Sequence, residues 1–208
     1  MTSAEVTRRI GAFGVVPVIV VDDPGRAVGI AGALAAGGLP CAEITLRTPG
    51  AIKAIGAIAH AVPDVLVGAG TVIRPEQVDE AVAAGASFLV SPGIHSDVVR
   101  RARRVGVPLF PGVATASEAL AALRQDVRVV KFFPAAVAGG LRAVQALASV
   151  FAELRFIPTG GLGPLELSAY LREPSVLAVG GSWLAPPGAD DEQIERLAAE
   201  AAAIAAAR

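Results

Sequence analysis

Cysteine is nearly absent from this chain. The single one, Cys41, excludes an internal disulfide and a cysteine-rich metal site, and it fits a reducing cytoplasm. Histidine is scarce as well: His60 and His95 are the only two, and both fall on expected helices or helix entries. A histidine-ligated metal site is therefore not expected, and no cofactor is implied. Aromatic residues make up 4% of the chain and the net charge is −1, so neither nucleic acid nor an anionic membrane is an expected partner. No apolar run is long enough to span a bilayer. Arg8-Arg9 followed by the apolar run Ile10 to Val21 has the outline of a signal peptide. Pro17 interrupts that run, no small-residue cleavage site follows, and Asp22-Asp23-Pro24-Gly25 reads as a turn. The expected location is the cytoplasm.

Lysine is the most informative scarcity. Of 18 basic residues only Lys53 and Lys131 are lysines, and the rest are arginine. Lys53 falls on an expected amphipathic helix, where a solvated charge is sufficient explanation. Lys131 lies inside Val129-Val130-Lys131-Phe132-Phe133-Pro134-Ala135, an apolar run that reads as a buried strand. Burial penalises an ammonium and favours the neutral amine, the nucleophile of Schiff-base chemistry. Arginine could not substitute there, because its guanidinium stays protonated. Two readings stay open from these residues alone: a reactive amine, or a lysine that snorkels or pairs with a carboxylate.

What the chain has in abundance is alternation. Its 208 residues and 53% hydrophobic content suit one domain, residues 1–208, with a large core. After a short N-terminal helix, eight strand-like segments are expected, near Val15–Val21, Cys41–Arg47, Leu66–Val72, Ser87–Ser91, Pro108–Val113, Val129–Ala135, Arg155–Thr159 and Val176–Gly180. Each is followed by a helix-like segment, opened by proline or closed by glycine at several places. The strands are almost continuously apolar, as when both faces are covered. Eight such units predict an α/β (β/α)8 TIM barrel, trimmed relative to the usual size, with a doubly wound open sheet as runner-up.

A barrel carries its chemistry at the C-terminal strand ends. The second strand puts Glu43, Thr45 and Arg47 on one face by the period-two rule. Glu43 reads as a proton-transfer group or as a structural partner for a base. Arg47 reads as a fork for a carboxylate or as a solvated rim residue. The third strand ends Gly68-Ala69-Gly70-Thr71, where glycine permits backbone to approach a ligand and Thr71 offers a hydroxyl. The fourth ends in the turn Ser91-Pro92-Gly93. Phe133 shares a face with Lys131 and would exclude water from it. The last two strands supply Gly160-Gly161 and Gly180-Gly181-Ser182, two glycine pairs where this fold often binds phosphate. Trp183 and Cys41 read as packing residues.

Taken in order, VVPVIVV, EITLRT, VGAGTV, SPG, PGVAT, VVKFFPA, PTGG and VGGSWL resemble the class I aldolases of 2-dehydro-3-deoxy-6-phosphogluconate, over nearly the full length. The resemblance implies a small (β/α)8 barrel, usually a homotrimer, that cleaves a phosphorylated keto acid to pyruvate and glyceraldehyde 3-phosphate. It implies that Lys131 forms the Schiff base and Glu43 moves protons. It also implies that Arg47, Thr71 and Thr159 hold the keto-acid end, with Pro92 and Phe133 as the apolar wall. Gly160, Gly161, Gly181 and Ser182 would then hold the phosphate. Three positions depart from the family pattern. Ala136 and Ala138 stand where an acidic residue and an asparagine are common, and Ala114 where serine is frequent. They bear on substrate preference. The 6-phosphogalactonate epimer and 4-hydroxy-2-oxoglutarate are the alternative substrates, and a non-catalytic phosphate-binding barrel is the alternative of another class.

Overall fold

The computed structural model describes residues 1–208. Its elements alternate as α1 (Ser3–Phe13), β1 (Val15–Ile19), α2 (Pro24–Ala36), β2 (Cys41–Thr45), α3 (Ala51–Ala61), β3 (Leu66–Gly70), α4 (Pro75–Ala83), β4 (Phe88–Val90) and α5 (Ser96–Val105). There follow β5 (Leu109–Phe110), β6 (Gly112–Val113), α6 (Ala116–Leu123), β7 (Val129–Phe132), α7 (Gly140–Val150), β8 (Arg155–Pro158), α8 (Pro164–Leu171), β9 (Val179–Gly181) and α9 (Asp191–Ala206). The helix boundaries follow local chemistry. Thr2 caps α1 by accepting from the Glu5 amide, and Gly14 ends it in the left-handed conformation that a side chain resists. Thr115 and Glu118 form a reciprocal capping box on α6. No helix is long and apolar enough to cross a membrane.

All strand pairs are parallel. They form a six-stranded curled sheet ordered β5-β4-β3-β2-β1-β9 and a three-stranded sheet ordered β6-β7-β8. This corrects the expectation of eight unbroken strands. The fifth expected strand, Pro108–Val113, is split into β5 and β6 at Pro111, which has no N–H to give to a ladder. The last strand also starts later than expected. Val176 makes only an isolated bridge with Phe156, and Thr159 bridges Gly180 in the same way.

The period-two pattern divides the apolar residues into two clusters. Outward-facing Val15, Ile19, Ala42, Ile44, Val67, Ala69, Val130, Phe132 and Val179 pack with the buried faces of the helices in one large core. Inward-facing Val16, Cys41, Leu66, Phe88, Val90, Phe110, Ile157 and Ala178 form a second, smaller cluster, which Val6 and Ile10 of α1 complete. Ile10 has no exposed surface. Helix α1 therefore stoppers one end of the sheet interior, and the opposite end is left for side chains of another kind.

Candidate active site

The inward face of β2 runs Cys41, Glu43, Thr45, and it continues to Arg47 in the turn beyond the strand. On β7 the same alternation points Lys131 inward, and Phe133 follows just past the strand end. The curl of the sheet brings the two elements face to face. Lys131 Nζ lies 3.3 Å from Glu43 Oε1, at 7% and 2% residue exposure respectively. A buried cation and a buried carboxylate each satisfy the other here, and neither is left with an unmatched charge. The ammonium also lies 5.1 Å from the centroid of the Phe133 ring, within cation–π range.

Above this pair opens a cavity of about 220 Å³. Of the expected site residues, Lys131, Arg47, Thr71, Thr159, Pro92, Phe133, Gly160, Gly161 and Ser182 all line it. Glu43 does not. It lies one layer deeper, in a small chamber beneath, where Lys131 and Thr159 line both spaces. The rest of that chamber is apolar: Ile10, Val16, Phe88, Val90, Phe110 and Ile157. Lys131 thus has a polar cavity above it and a largely apolar floor below.

Each strand end contributes in its own way. Thr71 has φ of 60°, a left-handed conformation that a β-branched residue adopts at a cost on the order of 1–3 kcal/mol. The next amide, Val72, is held by the Val90 carbonyl at 3.0 Å, so the strained turn is anchored across to β4. The Thr159 hydroxyl donates to the Ile157 carbonyl at 3.2 Å, and that of Thr45 to the Ile19 carbonyl at 3.0 Å. Arg47 is exposed, and its guanidinium has no hydrogen bond or ion pair within the chain, which leaves its whole fork for a ligand. At the other side, Gly160 and Gly161 both have positive φ, 100° and 73°, a backbone that L-side chains rarely adopt. The amides of Ala135 and Ala136 bond the carbonyls of Thr159 and Gly160, at 2.8 and 3.0 Å, and tie the loop after β7 to that turn.

The structure places two sets of glycines differently from the rest. Gly181 does not line the cavity, and a Cβ on it would overlap the Trp183 ring. Period two already places Gly181 opposite to Gly180 and Ser182. Nor do the glycines of β3 admit a ligand. The space beside Gly68 holds the Phe88 ring, and the space beside Gly70 holds the Glu43 carboxyl. Conversely, Val18, Val20 and Leu162 line the cavity without having been singled out, together with Thr45 and Gly180, which the sequence reading named at strand ends without a settled role. Val18 falls on the inward face of β1 and Val20 follows in the same alternation just past its end, as period two alone would have shown.

The other scarce residues line neither the cavity nor the chamber beneath it. Lys53 is exposed on α3, and His95 caps α5 by accepting from the Asp97 amide. Cys41 sits two residues below Glu43 and is fully buried; burial, then the Glu43 charge, pushes its thiol far above the ordinary range.

This geometry meets a matching set of relatives. The family model for KDPG and KHG aldolases matches residues 6–199. The chain belongs to that aldolase family. The KHG/KDPG aldolase of Escherichia coli (strain K12) is 46% identical over 204 residues, covering 96% of this chain and 95% of that one. A crystal structure of the 2-keto-3-deoxy-6-phosphogluconate aldolase of Zymomonas mobilis ZM4 with 3-phosphoglycerate superposes with a TM-score of 0.93 at 43% identity, covering 98% and 97% of the two chains. The KDPG aldolase of Legionella pneumophila, solved with pyruvate captured as a covalent carbinolamine intermediate, superposes with a TM-score of 0.86 at 40% identity, covering 97% of each. This aldolase is accordingly a carbon–carbon lyase of the same α/β architecture.

Proposed function

We propose that this aldolase cleaves 2-dehydro-3-deoxy-6-phosphogluconate to pyruvate and glyceraldehyde 3-phosphate through an imine on Lys131. The observation that carries the reading is the 3.3 Å pair of Lys131 and Glu43 at the base of the cavity. Glu43 takes a proton from the lysine, and the free amine attacks the C2 ketone to give a carbinolamine. Glu43 returns the proton to the departing hydroxyl, water leaves, and an iminium forms. That cation is an electron sink. Glu43 then accepts the proton of the C4 hydroxyl as the C3–C4 bond breaks, releasing the aldehyde and leaving an enamine. Protonation at C3 and addition of water free pyruvate and regenerate the amine. The covalent carbinolamine of the Legionella relative supports the first step.

Arg47, Thr71 and Thr159 hold the keto-acid end in this reading, with Pro92 and Phe133 as the apolar wall. Gly160, Gly161 and Ser182 hold the phosphate. No cofactor is required. The same reading takes residues 1–208 as one domain and the nine strand segments as an eight-stranded (β/α)8 barrel. In support of closure, β5 and β6 are one strand interrupted at a single proline, and the bridges Phe156–Val176 and Thr159–Gly180 join the smaller sheet toward β9. A homotrimeric assembly and a cytoplasmic location complete it.

Borohydride reduction in the presence of pyruvate, followed by peptide mapping, tests the assignment. An adduct on Lys131 is expected; an adduct elsewhere, or none, overturns it. A second substrate, 4-hydroxy-2-oxoglutarate, is favoured by the double name of the Escherichia coli relative. Parallel cleavage assays on both compounds and on the 6-phosphogalactonate epimer rank the three.

A further inference from the structure

Strand β3 turns two glycines, Gly68 and Gly70, toward the interior, and neither space is empty. Gly70 is the one that bears on the chemistry. A Cβ built on it would lie 2.7 Å from Glu43 Cγ and 2.8 Å from Cδ, and would overlap Oε1. Oε1 is the same atom that accepts from Lys131 Nζ. Gly70 is outside the set of residues with positive φ, so its backbone would tolerate an alanine. Its neighbour is what demands glycine. The strand itself is fixed on both sides: toward β2, Gly70 is in register with Thr45 and its carbonyl accepts from the Leu46 amide at 2.8 Å, and toward β4, Ala69 is in register with Leu89 and the Val72 amide donates to the Val90 carbonyl at 3.0 Å. It cannot shift to make room without opening the ladder that carries Glu43.

We propose that Gly70 is a positioning residue for the aldol reaction, an unfilled side-chain slot that seats the Glu43 carboxylate against Lys131. The proposal rests on the reading of Glu43 as the proton carrier for that lysine. Without the slot, the carboxylate has poor places to go. Apart from Lys131, the chamber around it is walled by Ile10, Val16, Phe88, Val90, Phe110 and Ile157, none of which offers a side-chain hydrogen bond, and by Thr159, whose one hydroxyl proton already goes to the Ile157 carbonyl. A methyl group at position 70 therefore displaces Oε1 from its only side-chain partner. It adds nothing to the cavity above, which Gly70 does not line.

A double-mutant cycle on Gly70→Ala and Glu43→Gln tests this, with pyruvate trapping rate and kcat as readouts. Gly70→Ala alone should lower kcat about 100-fold, the range of a lost acid–base group, with little change in KM. Added to Glu43→Gln it should lower kcat no more than about threefold further, because the function it disturbs is already gone. A penalty equally large on both backgrounds means that the methyl acts through general packing, and this overturns the slot. Near-normal turnover of Glu43→Gln alone overturns the proton-carrier reading first, and the slot with it.

If Gly70→Ala folds too poorly to assay, Tm carries the same cycle. The Tm loss caused by Gly70→Ala should vanish when Glu43 is replaced by alanine, which clears the overlap. A loss that persists in Glu43→Ala/Gly70→Ala overturns the proposal. Glu43→Asp paired with Gly70→Ala gives a rescue test, since a carboxylate one methylene shorter withdraws from the added methyl. Turnover of that pair should exceed that of Gly70→Ala alone, and turnover no higher counts against the slot.

Discussion

The two ends of the sheet interior are built from the same strands by the same alternation, yet they hold opposite chemistry. At the end stoppered by α1, the inward positions are Val16, Cys41, Leu66, Phe88 and Phe110, closed over by Val6 and Ile10. Two residues further along, the same strands present Val18, Glu43 and Thr45, with Thr71, Pro92, Lys131 and Thr159 beside them. The difference separates tasks. One end excludes water and supplies the burial that holds the interior together; the other spends two buried charges on a reactive pair. Because the two ends are joined by short rigid strands, substitutions should affect either stability or turnover, and seldom both.

The largest effect that tests this separation is Lys131→Arg. It keeps a cation opposite Glu43 but cannot form an imine, so pyruvate trapping and turnover should be abolished while thermal melting stays near that of the parent. A collapse of Tm would show that the pair also holds the fold. At the opposite end, Val6→Ala should cost about 2 kcal/mol by denaturant titration, from lost burial and a residual cavity. Its kcat and KM at 25 °C should match those of the parent, and a lowered kcat would break the separation from the other side.

Substitutions at the rim should be milder and confined to binding. Arg47→Lys retains charge without the planar fork, and should raise KM about tenfold at nearly constant kcat, read by steady-state kinetics. Thr71→Gly relieves a left-handed β-branched residue while deleting a hydroxyl. Tm should rise slightly while KM rises, which would place strain and binding in a single side chain. The smallest effect lies outside both ends. The Ala114 amide, with the Thr115 amide and hydroxyl, holds the Glu118 carboxyl below its ordinary range despite some opposing desolvation. The capping contribution is therefore complete above the ordinary carboxylate range and lost as pH falls through the depressed value. The Tm difference between the parent and Glu118→Gln should be widest at neutral pH and close in acid.

Much of this was readable from the chain. The order of strands and helices, the burial of Lys131 and the shared face of Lys131 and Phe133 follow from period two and turn chemistry, which are local, whereas the wall role of Pro92 and the binding role of Thr159 came from the family resemblance. What could not be read is non-local. Whether a glycine is a vacancy for a ligand or a seat for a neighbouring side chain depends on which residue the sheet brings opposite, so Gly68 and Gly70 were misread. Pro111 was different. Its missing amide was in the sequence, but the apolar run around it outweighed that signal. The depth of Glu43, one layer beneath the cavity, depends on the curl of the sheet and on Ile10 closing the floor from a distance of many residues.

That floor has a bearing on how the chain reaches its folded state. Val6 and Ile10 come to rest in one cluster with Ile157 and Ala178, residues made long after them. Until β8 and the approach to β9 exist, helix α1 has no finished surface to settle on, and its apolar stripe stays open to other partners. Helix α1 is thus made before the surface it needs, and it gains its full set of neighbours only once β8 and the approach to β9 are in place. The apolar floor beneath Glu43, which Ile10 helps to form, is complete only then.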